Sequence, residues 1–118
     1  MRLMVPVVCT VIMLVLPALV LAETVQIQVA PATIVLKAPC PHVTIHAEMP
    51  YSSVADNTVQ INGLDADATF PDDCGNLVAR IAFEKITALV EPPEAQITLT
   101  GMTEDGVQFE GMDTVRVK

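Results

Sequence analysis

Along residues 23–118, apolar side chains recur at every second position. Val25, Ile27 and Val29 alternate with Thr24, Gln26 and Gln28. Val43, Ile45 and Ala47 alternate with His42, Thr44, His46 and Glu48. Val59 and Ile61 alternate with Thr58 and Gln60, Leu77, Ala79 and Ile81 with Val78, Arg80 and Ala82, and Ile97 and Leu99 with Gln96, Thr98 and Thr100. Val107 and Phe109, then Val115 and Val117, continue the pattern. Successive side chains of a strand point to opposite faces, so this period of two predicts strands with one face in a core. Residues 33–37 are more uniformly apolar and predict a strand after a break at Pro31. Residues 66–70 predict a short one.

Turn-forming residues separate these segments. Ala38-Pro39-Cys40-Pro41, the loop opened by Pro50-Tyr51-Ser52-Ser53, Asn62-Gly63, and Pro71 through Asn76 are the main breaks. Glu104-Asp105-Gly106 reads as a hairpin tip, with glycine supplying positive φ. Gly111 predicts a bulge or bend in the last long strand. Only residues 83–90 switch to helical spacing, with apolar residues at 83, 86, 89 and 90, before Glu91-Pro92-Pro93 ends the turn. Seven or eight short strands with one helical turn predict an all-β, immunoglobulin-like antiparallel sandwich.

The N-terminus changes the picture of where this sandwich works. Arg2 is followed by an apolar run from Leu3 to Leu21, ending at Val20-Leu21-Ala22 before Glu23. That order predicts a secretory signal peptide, residues 1–22, cleaved after Ala22. A retained membrane anchor is the rival, since the run is about long enough to span a bilayer. Pro17 and the lack of a following Lys or Arg cluster favour cleavage. Cys9 follows Val8 and too short an apolar stretch to be a lipoprotein site. Cleavage leaves 96 residues as a single domain, 23–118, exported to a periplasm or beyond the cell. These residues carry 14 acidic and five basic side chains, a formal charge of −9. Such a balance lacks a basic footprint for nucleic acid or anionic lipid, and no membrane contact is expected after cleavage.

Cleavage also removes Cys9 and leaves Cys40 and Cys74. An even pair in an exported chain predicts a disulfide, closing a loop with 33 residues between its ends. Loop-closure entropy makes such a bond worth roughly 3–4 kcal/mol. Two free thiols or an intermolecular link are the alternatives. Neither cysteine sits in a C-x-x-C pair, which argues against a thiol oxidoreductase.

Candidate chemistry is thin. His42 and His46 lie four strand residues apart, about 13 Å, too far to share one metal ion. His46 and Glu48 face the same way about 7 Å apart, with no third ligand in view. Asp65, Asp67, Asp72 and Asp73 cluster around a turn with Asn62 and Asn76, an oxygen-rich set that would suit calcium, although the D-x-D-x-D-G spacing is missing. Ser52 and Ser53 lack a G-x-S-x-G context. Tyr51 is the single candidate ring for stacking on a sugar, the three Phe residues reading as core. No catalytic residue and no cofactor are expected, and the chain does not read as an enzyme.

Residues 97–117, I-T-L-T-G-M-T-E-D-G-V-Q-F-E-G-M-D-T-V-R-V, carry a resemblance. They are similar to the C-terminal signature T-x-x-L-x-G-x-x-x-D-G-x-x-F-E-G-x-D-x-[VI]-[KR]-V of an exported β-domain that recurs in large surface proteins of bacteria and archaea. Residues 32–37, 53–63 and 76–90 resemble its upstream segments, so the likeness spans most of residues 32–118. Members commonly carry D-x-D-G-D-G where this chain reads F-P-D-D-C-G-N; Asp72, Asp73 and Gly75 remain, and Cys74 intrudes. The resemblance implies an exported immunoglobulin-like domain and no particular activity. The expected function is a non-enzymatic module for protein interaction, adhesion or surface scaffolding, its partner another exported or surface protein and its oligomeric state open. The alternative is calcium or small-ligand binding by the acidic loop.

Overall fold

The computed structural model describes residues 22–38 and 40–118. The expected leader up to Leu21, Cys9 within it, and Pro39 lie outside the described residues. The strands are β1 (Glu23–Thr24), β2 (Ile27–Ala30), β3 (Thr33–Ile34), β4 (His42–Pro50), β5 (Gln60–Ile61), β6 (Leu64–Asp65), β7 (Ala68–Pro71), β8 (Asn76–Ala82), β9 (Glu94–Met102) and β10 (Gln108–Val117). A short α-helix, α1 (Phe83–Thr87), leads from β8 towards β9, and a single 3-10 turn, Tyr51–Ser53, follows β4. Among the described residues no helix is long and apolar enough to cross a membrane.

Two sheets share the core. One runs β1-β10-β9-β5-β6, with β3 also against β10; the other runs β2-β4-β8-β7. The second is the A-B-E-D order of an immunoglobulin sandwich, and β5-β9-β10 is its C-F-G order. The expected all-β immunoglobulin-like sandwich is therefore the fold. Alternation accounts for it: Val43, Ile45, Ala47 and Met49 of β4 meet Leu77, Ala79 and Ile81 of β8, facing Ile97, Leu99, Phe109, Val115 and Val117 of the other sheet. Each such aliphatic side chain contributes about 1.5–3 kcal/mol when fully buried. No described polar or charged residue is buried.

The turns follow their chemistry. Asn62 (φ 50°) and Gly63 (φ 85°) both take positive φ, as a two-residue turn joining β5 to β6 requires. In the β9–β10 hairpin, Gly106 (φ 85°) donates its N–H to Thr103 O at 2.9 Å. The helical turn is shorter than its apolar stripe: Phe83, Ile86 and Val90 are buried, but Leu89, beyond the end of α1, is 48% exposed.

Three expectations need correction. First, the segment 24–29 is not one strand. β1 pairs parallel with β10 at Phe109 and Glu110, and Val25 N–H donates to Glu110 O at 2.9 Å. The chain then crosses to the other sheet, where β2 pairs with β4 from Ile27↔Ala47 to Ala30↔Thr44. It returns when Arg116 N–H donates to Ala32 O at 3.1 Å and β3 pairs with Arg116 and Val117. Alternation tells which side chains enter the core, but both sheets face the same core, so it does not tell which sheet a strand joins. Second, Gly111 forms no bulge: the β9–β10 ladder is unbroken from Gln108↔Met102 to Arg116↔Glu94. The glycine instead admits the crossing chain, since a Cβ there would stand 2.6 Å from Val25 O. Third, the split N-terminal strand and the two-residue strands raise the number of described segments from seven or eight to ten.

Candidate interaction groove

The structure disperses most of the predicted site residues. β4 carries Cys40 just before its start, while the Cys74 turn lies at its far end, where Asn76 pairs with Pro50. Eight residue steps of strand separate those ends, about 26 Å, and bonded cysteines need Cα atoms within about 7 Å. The two thiols are free, and the expected Cys40–Cys74 disulfide is corrected. The alternating sequence fixed neither the direction of β4 nor the place of the β7–β8 turn, so the even count of cysteines misled. Cys40 Sγ donates instead to His42 O at 3.4 Å.

The structure likewise does not bring the four carboxylates of the calcium reading together. Asp65 lies on β6 in the β10 sheet, where its Oδ1 accepts from Gln60 Nε2 at 3.1 Å. Asp67 sits beside the far end of β8: its Oδ2 accepts Ala82 N–H at 2.7 Å and its Oδ1 accepts Lys85 Nζ. Asp72 is at the other end of β8, about 16 Å away along the strand, and its Oδ1 accepts the N–H groups of Cys74 (2.8 Å) and Asn76 (2.9 Å). Asp73 is exposed beside it. Asp65, Asp67 and Asp72 thus serve separate local contacts. Among the described residues, no three His, Cys, Asp or Glu side chains converge as metal ligands.

These contacts set the acid chemistry. The Lys85 ammonium, then the Ala82 N–H, hold Asp67 below the ordinary carboxylate value of 3.8. The Asn76 N–H, with that of Cys74, does the same for Asp72. Ser53 Oγ donates to Pro50 O at 2.8 Å, and Tyr51, half-buried, packs against the core.

One place does gather polar chemistry. β2 is an edge strand. Glu48 N–H donates to Gln26 O at 2.9 Å, so in an antiparallel pair the even residues of β2 bond to β4 and the odd ones, Ile27 and Val29, turn their backbone groups outward. β10 is the neighbouring edge of the other sheet. Between its contacts at Glu110 and Arg116, no backbone hydrogen bond among the described residues joins it to the N-terminal segment. Along this side the sheets share no continuous backbone ladder and meet through side chains: Ile27 lies over Gly111, and Asp113 Oδ2 accepts Val29 N–H at 3.0 Å. From Asp113 and Thr114 a groove of about 580 Å³ extends over Gln28 to His46, Glu48 and Asp72. Its lining includes three carboxylates and no Lys or Arg. His46 and Glu48, adjacent on the outer face of β4, are thus joined by Asp72. Asp113 escaped the sequence reading because it occupies an inward position of β10, where the alternation predicts an apolar residue; that departure was the available signal.

No family model matches the chain, so the likeness of residues 97–117 remains one of motif. No curated protein matches it either. Among solved structures, the chain is similar to a bacterial immunoglobulin-like domain from the M. primoryensis ice-binding adhesin, at 17% identity and a TM-score of 0.43, over 82% of this chain and 98% of that one.

Proposed function

We propose that this chain is an exported, non-enzymatic β-sandwich module that acts by binding another exported or surface protein, in adhesion or scaffolding. The observation that carries the reading is the side of the sandwich where two strand edges with unpaired backbone groups flank a polar groove. Catalysis needs a nucleophile, a base or a metal held in mutual reach. Here Ser53, Asp67 and Asp72 are each engaged in local structure, whereas a free strand edge is a template for pairing with another chain. Export rests on the order of Arg2, the apolar run and Val20-Leu21-Ala22.

A photo-reactive residue at Gln28, introduced into the native cell, tests the reading. A discrete protein adduct from Gln28, absent from the same probe at Glu91, is the expected result. Failure of Gln28 to yield any adduct overturns it. The intact mass tests processing: it should begin at Glu23, and a mass beginning at Met1 defeats cleavage after Ala22.

A further inference from the structure

We infer that the groove between β2 and β10 receives an extended segment of a partner protein bearing Lys or Arg side chains, its main chain lying along the open edges. This rests on the interaction reading above and names the partner's chemistry. Two observations carry it. The first is the pair of unclosed edges: Ile27 and the Val29 carbonyl on β2, and β10 between Glu110 and Arg116, offer backbone groups that a strand can pair with. Strand addition to such an edge obtains affinity from the main chain and specificity from alternate side chains. The second is charge. Glu48, Asp72 and Asp113 line the groove with no Lys or Arg among its lining residues, on a mature chain of formal charge −9. A second copy of so acidic a chain is repelled, while a basic segment is steered in. Amide side chains of Gln26 and Gln28 stand along the same path and suit hydrogen bonding to a peptide backbone.

The test uses the mature chain, residues 23–118, and a labelled decapeptide of alternating lysine and threonine, read by fluorescence anisotropy. Binding is expected, weakening as salt is raised. The glutamate–threonine counterpart should bind at least tenfold more weakly. Glu48→Lys, on an exposed side chain, should weaken the lysine peptide at least tenfold, and Glu91→Lys, outside the groove, less than twofold. N-methylation of alternate peptide amides should also cost at least tenfold, because it removes main-chain donors and keeps the charge. Equal binding of the acidic peptide, or equal loss from Glu48→Lys and Glu91→Lys, overturns the assignment of a basic partner. Undiminished binding of the N-methylated peptide overturns strand addition. A Gln28 adduct in the cell, with no binding of the lysine peptide, would leave the interaction reading standing and remove this inference.

Discussion

The two edges of β10 are built to opposite ends. On one side it pairs with β9 through nine consecutive residues, Gln108↔Met102 to Arg116↔Glu94. On the other, β1 and β3 take only its two ends, and the chain between them leaves for the opposite sheet. The first edge has its hydrogen bonds satisfied locally and its inward residues Phe109 and Val115 in the core. The second holds a glycine, Gly111, under the crossing chain and a carboxylate, Asp113, at an inward position. The same strand thus has one edge paired along its length and another paired only at its two ends. The outer faces repeat the contrast. On the β9–β10 face, paired Thr98 and Met112, and Gln96 and Thr114, carry no charge, and Met112 is 59% exposed. On the β4 sheet, Arg80 lies 5.5 Å from the centroid of the Phe70 ring.

The contrast predicts a graded set of effects. The largest belongs to the closed edge. Phe109→Ala removes a ring that is 1% exposed and packed over Gly101, and should cost about 3–5 kcal/mol in urea unfolding. Folded variant below its transition should still show the Gln28 adduct; its loss would mean the two edges are not independent. Gly111→Ala drives a methyl into Val25 O, with an expected cost of about 1–3 kcal/mol. Hydrogen exchange at the Val25 amide should accelerate in this variant, and unchanged protection would show that the crossing is not held there.

Asp113→Ala leaves Val29 N–H without its acceptor, at a cost of about 1–2 kcal/mol, with faster exchange at Val29 and little change at the amides of β9. Uniform loss across both edges would contradict a local bridge. Acid should act on the β4 sheet through Asp67 and Asp72. Both carboxyls titrate lower when folded than unfolded, so their stabilisation is present above the unfolded value, near 3.8, and lost as pH falls through the lowered folded values. Asp67→Asn should flatten the fall in melting temperature across that acid range; an unaltered slope would show that the Lys85 and Ala82 contacts do not persist in solution. The smallest effect concerns Cys74→Ser, which should change stability by no more than about 0.5 kcal/mol. A loss of roughly 3–4 kcal/mol would restore the disulfide that the strand geometry denies.

Sequence alone determined most of the core, with Phe70 and Val107 exposed against expectation, the strand segments β4, β8, β9 and β10, and the turns at Asn62-Gly63 and Gly106. Those features are local: alternation fixes facing, and positive φ selects glycine or asparagine. Tertiary structure alone decided which sheet each N-terminal piece joins, because two sheets around one core impose the same alternation. It also decided the distances between residues far apart in the chain. Cys40 and Cys74 ended at opposite ends of β4, and Asp67 and Asp72 at opposite ends of β8. Conversely, it brought Asp72 from one turn and Asp113 from the last strand to the groove that His46 and Glu48 reach from β4. Spacing along a chain governs contacts within one element; strand register governs contacts between elements, and register is settled only when the sheets pack.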